Sequence, residues 1–218
     1  MNQLIAIPTE FEASMLAKKP AKGSYMCIKD CEPCSNSKCE SKIFLCISGV
    51  GATSSKVIKA AVEKDNIKKL IVIGMAGNLT SENRFGKIYL VKSVTDKNNV
   101  ISLKKTSSEQ TTCIKHDGYV TLLTVNKPVF TKERKLSLSN YAELVDMEGY
   151  QIAKFCAQNK IELTMIRAVS DDCMGDIGKF FMNKAGLIPI PSELLLAQKK
   201  IAETVNAIVK QQCGQTPQ

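Results

Sequence analysis

Carboxylates punctuate this 218-residue chain at places where apolar elements begin or end. Val145-Asp146-Met147-Glu148-Gly149 opens a helix-like segment, and Arg167-Ala168-Val169-Ser170-Asp171-Asp172 closes a strand-like one. Thr9-Glu10-Phe11-Glu12 follows a short apolar run and its Pro8. Carboxyl groups are among the side chains that move protons in catalysis, and open α/β sheets bind ligands beyond the ends of their strands. Each position also has a plainer reading. Thr9 and Glu12 fit a capping box at a helix start, and Asp171 or Asp172 fits a cap after a strand. Glu148 fits a first-turn acid favoured by the helix dipole. Arg167 reads better as the structural partner of a buried acid than as a substrate contact.

Two glycine stretches lie where strands should end. Ser48-Gly49-Val50-Gly51 could present amide donors at a helix start, a geometry suited to anions. Gly74-Met75-Ala76-Gly77-Asn78-Leu79 could let a flat ring lie against main chain. Taken alone, either stretch is more often a plain strand–helix turn.

The elements that must hold these groups alternate along the chain. Strands are expected at 4–7, 43–47, 70–73, 87–94, 119–125 and 163–169, from β-branched apolar runs bounded by turn residues. Helices are expected at 9–17, 52–64, 146–158 and 192–210, from apolar residues at helical spacing. Residues 96–117 are polar and poorly periodic, and read as an irregular or hairpin region. The alternation predicts an α/β sheet, and the length, with 44% hydrophobic residues, suits one domain spanning 1–218.

Composition narrows the functional classes. The formal charge is +9, but only Arg84, Arg134 and Arg167 among the 30 basic residues are arginines. With no Trp and 6% aromatics, the chain lacks the arginine forks and stacking rings of nucleic-acid readers. Its scattered lysines read as a solvated surface. No apolar run approaches the length of a membrane span, and no signal peptide is visible, so a cytoplasmic protein with neither nucleic-acid nor membrane partners is expected. Cys27, Cys31, Cys34 and Cys39 crowd one polar stretch that admits free thiols, a metal knuckle or disulfides. The Cys-x-x-x-Cys-x-x-Cys spacing within it also matches radical enzymes by accident, since no barrel pattern surrounds it. His116, the only histidine, is recruited by no motif.

Taken in order, Ile7-Pro8-Thr9-Glu10-Phe11-Glu12-Ala13, Ser48-Gly49-Val50-Gly51, Gly74-Met75-Ala76-Gly77, Asp146-Met147-Glu148-Gly149 and Arg167-Ala168-Val169-Ser170-Asp171 resemble the methylthioadenosine/S-adenosylhomocysteine nucleosidases of the nucleoside phosphorylase superfamily. Futalosine hydrolase and hopanoid-associated nucleosidases share that order. The resemblance implies a three-layer α/β/α fold with a mixed, twisted central sheet, a homodimer, no cofactor and no metal. It also implies cleavage of the N-glycosidic bond of a purine nucleoside, as in methionine salvage. Asp171 matches the acid that protonates purine N7, with Ser170 orienting it. Glu148 matches the residue that grips the ribose hydroxyls, with Asp146 beside it and Met147 against the sugar. Glu12 matches the base that activates water. Ala76 and Gly77 correspond to backbone lining the base, and Val50 to an apolar contact on the sugar or water side. Val129 and Phe130 are the nearest candidates for stacking on the purine, and Phe180 or Phe181 for closing over it.

Phosphorylases of this superfamily hold phosphate with several arginines, because a bidentate fork suits that anion. This chain has none near the Thr9 or Ser48 stretches, and Glu12 would repel phosphate, so hydrolysis is expected over phosphorolysis. Three readings stand: a nucleosidase acting on methylthioadenosine, S-adenosylhomocysteine or a related compound; a futalosine-type or hopanoid-type hydrolase; and a nucleoside-binding protein without turnover.

Overall fold

The computed structural model describes residues 1–29, 42–51, 54–82, 84–103, 114–173 and 189–211. Its strands are β1 (Gln3–Ile7), β2 (Tyr25–Lys29), β3 (Ile43–Ile47), β4 (Lys69–Asn78), β5 (Ile88–Thr95), β6 (Val100–Ser102), β7 (Tyr119–Thr124), β8 (Leu144–Asp146) and β9 (Glu162–Asp171). Its helices are α1 (Ser54–Asp65), α2 (Lys132–Leu138), α3 (Gly149–Gln158) and α4 (Ser192–Gln211). None of these helices is long and apolar enough to cross a membrane.

All nine strands join one mixed sheet. β1 is buried at every position and lies between β3 and β4, parallel to both. Strands covered on both faces read as continuous apolar runs, which is why 4–7 and 43–47 were legible from sequence. β2 adds an antiparallel edge beside β3.

On the other side the sheet closes. β4 pairs with β9 in parallel, β9 with β5 antiparallel, β5 with β7 in parallel, β7 with β8 in parallel, and β8 returns antiparallel to β4. Five strands therefore form a ring, and β6 hangs from β5 as a short hairpin.

Helices cover both faces. Ile58 and Ala61 of α1 and Ile152, Ala153 and Cys156 of α3 pack into one apolar cluster. Ala197, Ile201, Val205 and Ile208 of α4 pack into a second on the opposite face. A third, smaller cluster gathers Leu79, Leu123, Val125, Val129, Leu138, Ala142, Val145 and Cys173 beside α2. The expected three-layer α/β/α arrangement with a mixed central sheet is present.

Three local expectations are corrected. Residues 9–17 form successive turns rather than a helix. Ser14 N–H donates to the Phe11 carbonyl and Leu16 N–H to that of Ala13, while the Glu12 side chain is drawn inward to the Met75 N–H. Gly74-Met75-Ala76-Gly77 is not a turn, because β4 runs through it to Asn78, held by β9 along one side. Asp146 ends a strand instead of starting a helix, and α3 begins only at Gly149. β2, α2 and β8 had no clear signal in the sequence. Cys31, Cys34, Cys39, Phe180 and Phe181 lie outside the described residues.

Candidate active site

The parallel strands β1, β4 and β9 deliver their C-terminal ends to one side of the sheet. Pro8 leaves β1 and the chain turns tightly, so Glu12 points back over β4. Glu12 N–H donates to Thr9 Oγ1 at 3.1 Å, which is half of the capping box read from the sequence. No helix follows. The carboxylate instead accepts from Met75 N–H at 2.6 Å through Oε1 and from the Thr9 hydroxyl at 2.7 Å through Oε2. Only 6% of Glu12 is exposed.

Gly74 makes this approach possible, since a Cβ there would sit 3.1 Å from Glu12 Oε1 and 3.0 Å from the Pro8 ring. Gly77 plays the same part opposite Asp171, where a Cβ would meet Cys173 Sγ and stand 3.1 Å from Asp171 Oδ1. Close approach, not turning, is what these glycines supply.

The register Gly77↔Val145 carries the end of β8 across the end of β4 and so places residues 146–148 beside Ala76 and Gly77. Asp146 is saturated by the protein. Its Oδ1 accepts from the Thr124 hydroxyl at 2.7 Å, and its Oδ2 from Gly149 N–H at 2.9 Å and Arg167 Nη2 at 2.7 Å. Arg167 is fully buried, so this is an interior ion pair that anchors the start of α3. Asp146 rather than Glu148 thus caps α3. Glu148 makes no capping bond and turns to the Gly51 N–H at 3.4 Å, a long contact. Its own exposure is 6%.

β9 ends in Ser170 and Asp171. Ser170 Oγ donates to Asp171 Oδ2 at 2.7 Å, and Cys173 N–H donates to Oδ1 at 2.8 Å. Asp171 therefore forms the turn cap that the sequence allowed while still facing a cavity.

That cavity has a volume of about 390 Å³. Eleven of the site residues named from the sequence line it: Glu12, Glu148, Asp171, Met147, Ser170, Ala76, Gly77, Val50, Asp146, Val129 and Phe130. Pro8, Phe11, Met75, Val125, Pro128 and Cys173 complete much of the wall without having been singled out. Phe11 and Met75 were inside recognised motifs, whereas Val125 and Pro128 carried no chemical signal. No lysine or arginine lines the cavity among the described residues. Arg84 pairs with Glu82 and lies over the Tyr89 ring, and Arg134 donates to the Pro128 and Lys127 carbonyls.

Burial raises the proton affinity of all three key carboxyls. Glu148 is pushed up to about 8 by burial first, then by the charges of Asp146 and Glu12, against the pull of Arg167 and the Gly51 N–H. Burial also raises Glu12, opposed by the Met75 N–H, the Thr9 hydroxyl and Arg167. Asp171 is raised by burial against the Ser170 and Cys173 donors. Clustered carboxyls whose proton affinity is raised inside an apolar cleft are a common mark of acid–base sites. No group of His, Cys, Asp and Glu positioned for a metal occurs among the described residues. Cys27 is half-buried on β2 and not in a disulfide.

Comparison with known proteins agrees with the architecture. The sequence model of the phosphorylase superfamily matches residues 99–188. No curated protein matches the sequence significantly. Among solved structures, the 5'-methylthioadenosine/S-adenosylhomocysteine nucleosidase from S. pneumoniae, solved with a transition-state inhibitor, superposes with a TM-score of 0.73 at 16% identity, covering 96% of this chain and 99% of that one. A futalosine hydrolase mutant of Helicobacter pylori gives 0.72 at 14%, covering 97% and 99%. The Colwellia psychrerythraea nucleosidase in complex with adenine gives 0.70 at 16%, covering 97% and 95%. Over almost its whole length, the chain has the fold of the nucleosidases that its motifs resemble.

Proposed function

We propose that this protein hydrolyses the N-glycosidic bond of a 5'-substituted purine nucleoside, such as methylthioadenosine or S-adenosylhomocysteine, and releases adenine. One observation carries the reading: Glu12, Glu148 and Asp171, from three separate elements, converge on one largely apolar cavity. Breaking the bond sends its electron pair to the purine and leaves an oxocarbenium-like sugar. Asp171, whose proton affinity burial raises, gives its proton to N7 as the base departs. Glu12 accepts two hydrogen bonds, which favours the anionic form needed to take a proton from water as its oxygen bonds to C1'. Glu148 holds the ribose hydroxyls and Met147 packs on the sugar, while Val129 and Phe130 flank the base. A phosphate nucleophile would meet the Glu12 carboxylate and, among the described residues, no lysine or arginine in the cavity wall, so water is the acceptor.

A futalosine-type or hopanoid-pathway hydrolase is the second reading, supported by the equally good superposition on futalosine hydrolase. A nucleoside panel with and without phosphate, followed by free-base release, tests both. Adenine release from methylthioadenosine, independent of phosphate, is the expected result. Loss of at least about a hundredfold in kcat with Asp171→Asn, the protein remaining folded, is expected of a general acid. Binding of nucleosides without release, unaffected by Asp171→Asn, would instead show a protein that binds without turnover.

A further inference from the structure

Lys135 is a buried cation that the reaction outlined above leaves unused. It sits in α2, is 8% exposed, and its Nζ donates to the Asp172 carbonyl at 2.8 Å. Among the described residues no carboxylate lies within ion-pair distance of its ammonium. Burying an ammonium is costly, and the hydrogen bond it makes among the described residues points to where it acts.

The peptide group it touches leads on to Asp171. The carbonyl of Asp172 and the N–H of Cys173 belong to the same peptide unit. That carbonyl accepts from Lys135, and that N–H donates to Asp171 Oδ1 at 2.8 Å. Cys173 has φ of 60°, a left-handed conformation that a non-glycine residue holds only when its surroundings enforce it. Hydrogen bonds in a chain polarise one another. A cation on the carbonyl oxygen strengthens the N–H donor at the other end and prevents the peptide from flipping.

We propose that Lys135 is a positioning residue for Asp171, acting through the Asp172–Cys173 peptide to orient the acid. The proposal rests on the hydrolase reading for its kinetic consequences but not for its structural ones. Asp171 is faced on its own strand and turn by Ser170, Asp172 and Cys173, and from α2 by Lys135 behind that peptide. The other ionisable groups lining the cavity are Glu12, Asp146 and Glu148, with Arg167 bonded to Asp146.

The experiment combines titration with kinetics. The Asp171 carboxyl is titrated by carbon-detected NMR in the ligand-free protein and in Lys135→Met. Loss of the cation should move its midpoint to higher pH, because the donor that steadies the anion is weakened. Lys135→Arg should keep it near the original value. Lys135→Gln, which can still donate to the Asp172 carbonyl but carries no charge, serves as the second variant if Lys135→Met does not fold, and a smaller upward movement is expected. In turnover, Lys135→Met should lower kcat about tenfold, the worth of one hydrogen bond, with KM little changed and the basic limb of the pH profile displaced upward. In an Asp171→Asn background the same substitution should cost little more, as expected for residues acting as a unit. An unmoved Asp171 midpoint, or a full additional loss in that background, overturns the proposal. A wild-type protein that releases no base would reject the hydrolase reading, while the titration would still decide the role of Lys135.

Discussion

Glu148→Gln separates the electrostatic reasoning from the catalytic reasoning. In the folded chain this carboxyl is pushed from 4.5 up to about 8, first by burial and then by Asp146 and Glu12. Between those values the native state holds a proton that the unfolded chain has released. Stability therefore falls as pH rises, fully present below the unfolded value and lost as pH passes through the folded one. One proton contributes at most about 1.4 kcal/mol per pH unit. From pH 5 to pH 8 that is up to about 4 kcal/mol, or a fall in Tm of about 3–5 °C per pH unit for a chain of this size. The glutamine amide has the shape of the protonated acid but no charge to bury. The variant should match the wild type near pH 5 and exceed it increasingly toward pH 8. Burial also raises Glu12 and Asp171, so a shallower slope of the same sign should persist in the variant. Calorimetric Tm values for both proteins from pH 5 to pH 9 give the comparison. Parallel curves would refute the reasoning, because they would mean that Glu148 binds its proton equally in both states.

Arg167→Met leaves Asp146 charged and buried without its partner, so a loss of about 3–5 kcal/mol in unfolding free energy is expected by denaturant titration. Gly77→Ala drives a methyl into Cys173 Sγ and Asp171, and should cost about 1–3 kcal/mol together with most of the base release. Adding Cys173→Ala removes the nearer obstacle, and recovery of Tm in the double variant is the check on that cause. Asp146→Asn keeps the shape of the α3 cap while removing the charge that Arg167 neutralises. It should destabilise the protein while lowering the pH at which Glu148 titrates, since Asp146 is one of the charges that raise it.

The core strands were legible because nothing competes with their pattern. β3 is apolar throughout and β1 is apolar after Gln3, both are buried on both faces, and their bounds fall within a residue of those read from the sequence. The C-terminal helix was equally plain, since α4 buries one regular stripe. The reading failed where tertiary contacts override a local rule. Gly74 and Gly77 carry the usual mark of a turn, yet β9 pairs along β4 as far as Gly77 and keeps the backbone extended. Glu12 reads as a helix cap until β4 offers it the Met75 N–H. β8 is three residues long, too short for any periodicity to show. Among the site residues the carboxyls had a chemical identity that spacing could reveal. Lys135 had none, because its significance lies in a carbonyl that no sequence pattern reports.

The closed ring of β4, β9, β5, β7 and β8 bears on how this protein can change over time. Asp171 and Asp146 end β9 and β8, two of the three strands paired with β4, so their placement is dictated largely by main-chain pairing, which any suitably patterned segment supplies. Mutation can then replace most side chains without dispersing the acids, provided the glycines that allow close contact stay small. One shape can thus be built from very different letters, in keeping with superpositions above 0.7 at 14–16% identity. What is kept in such a molecule is the pairing of the backbone, and the positions of the acids travel with it.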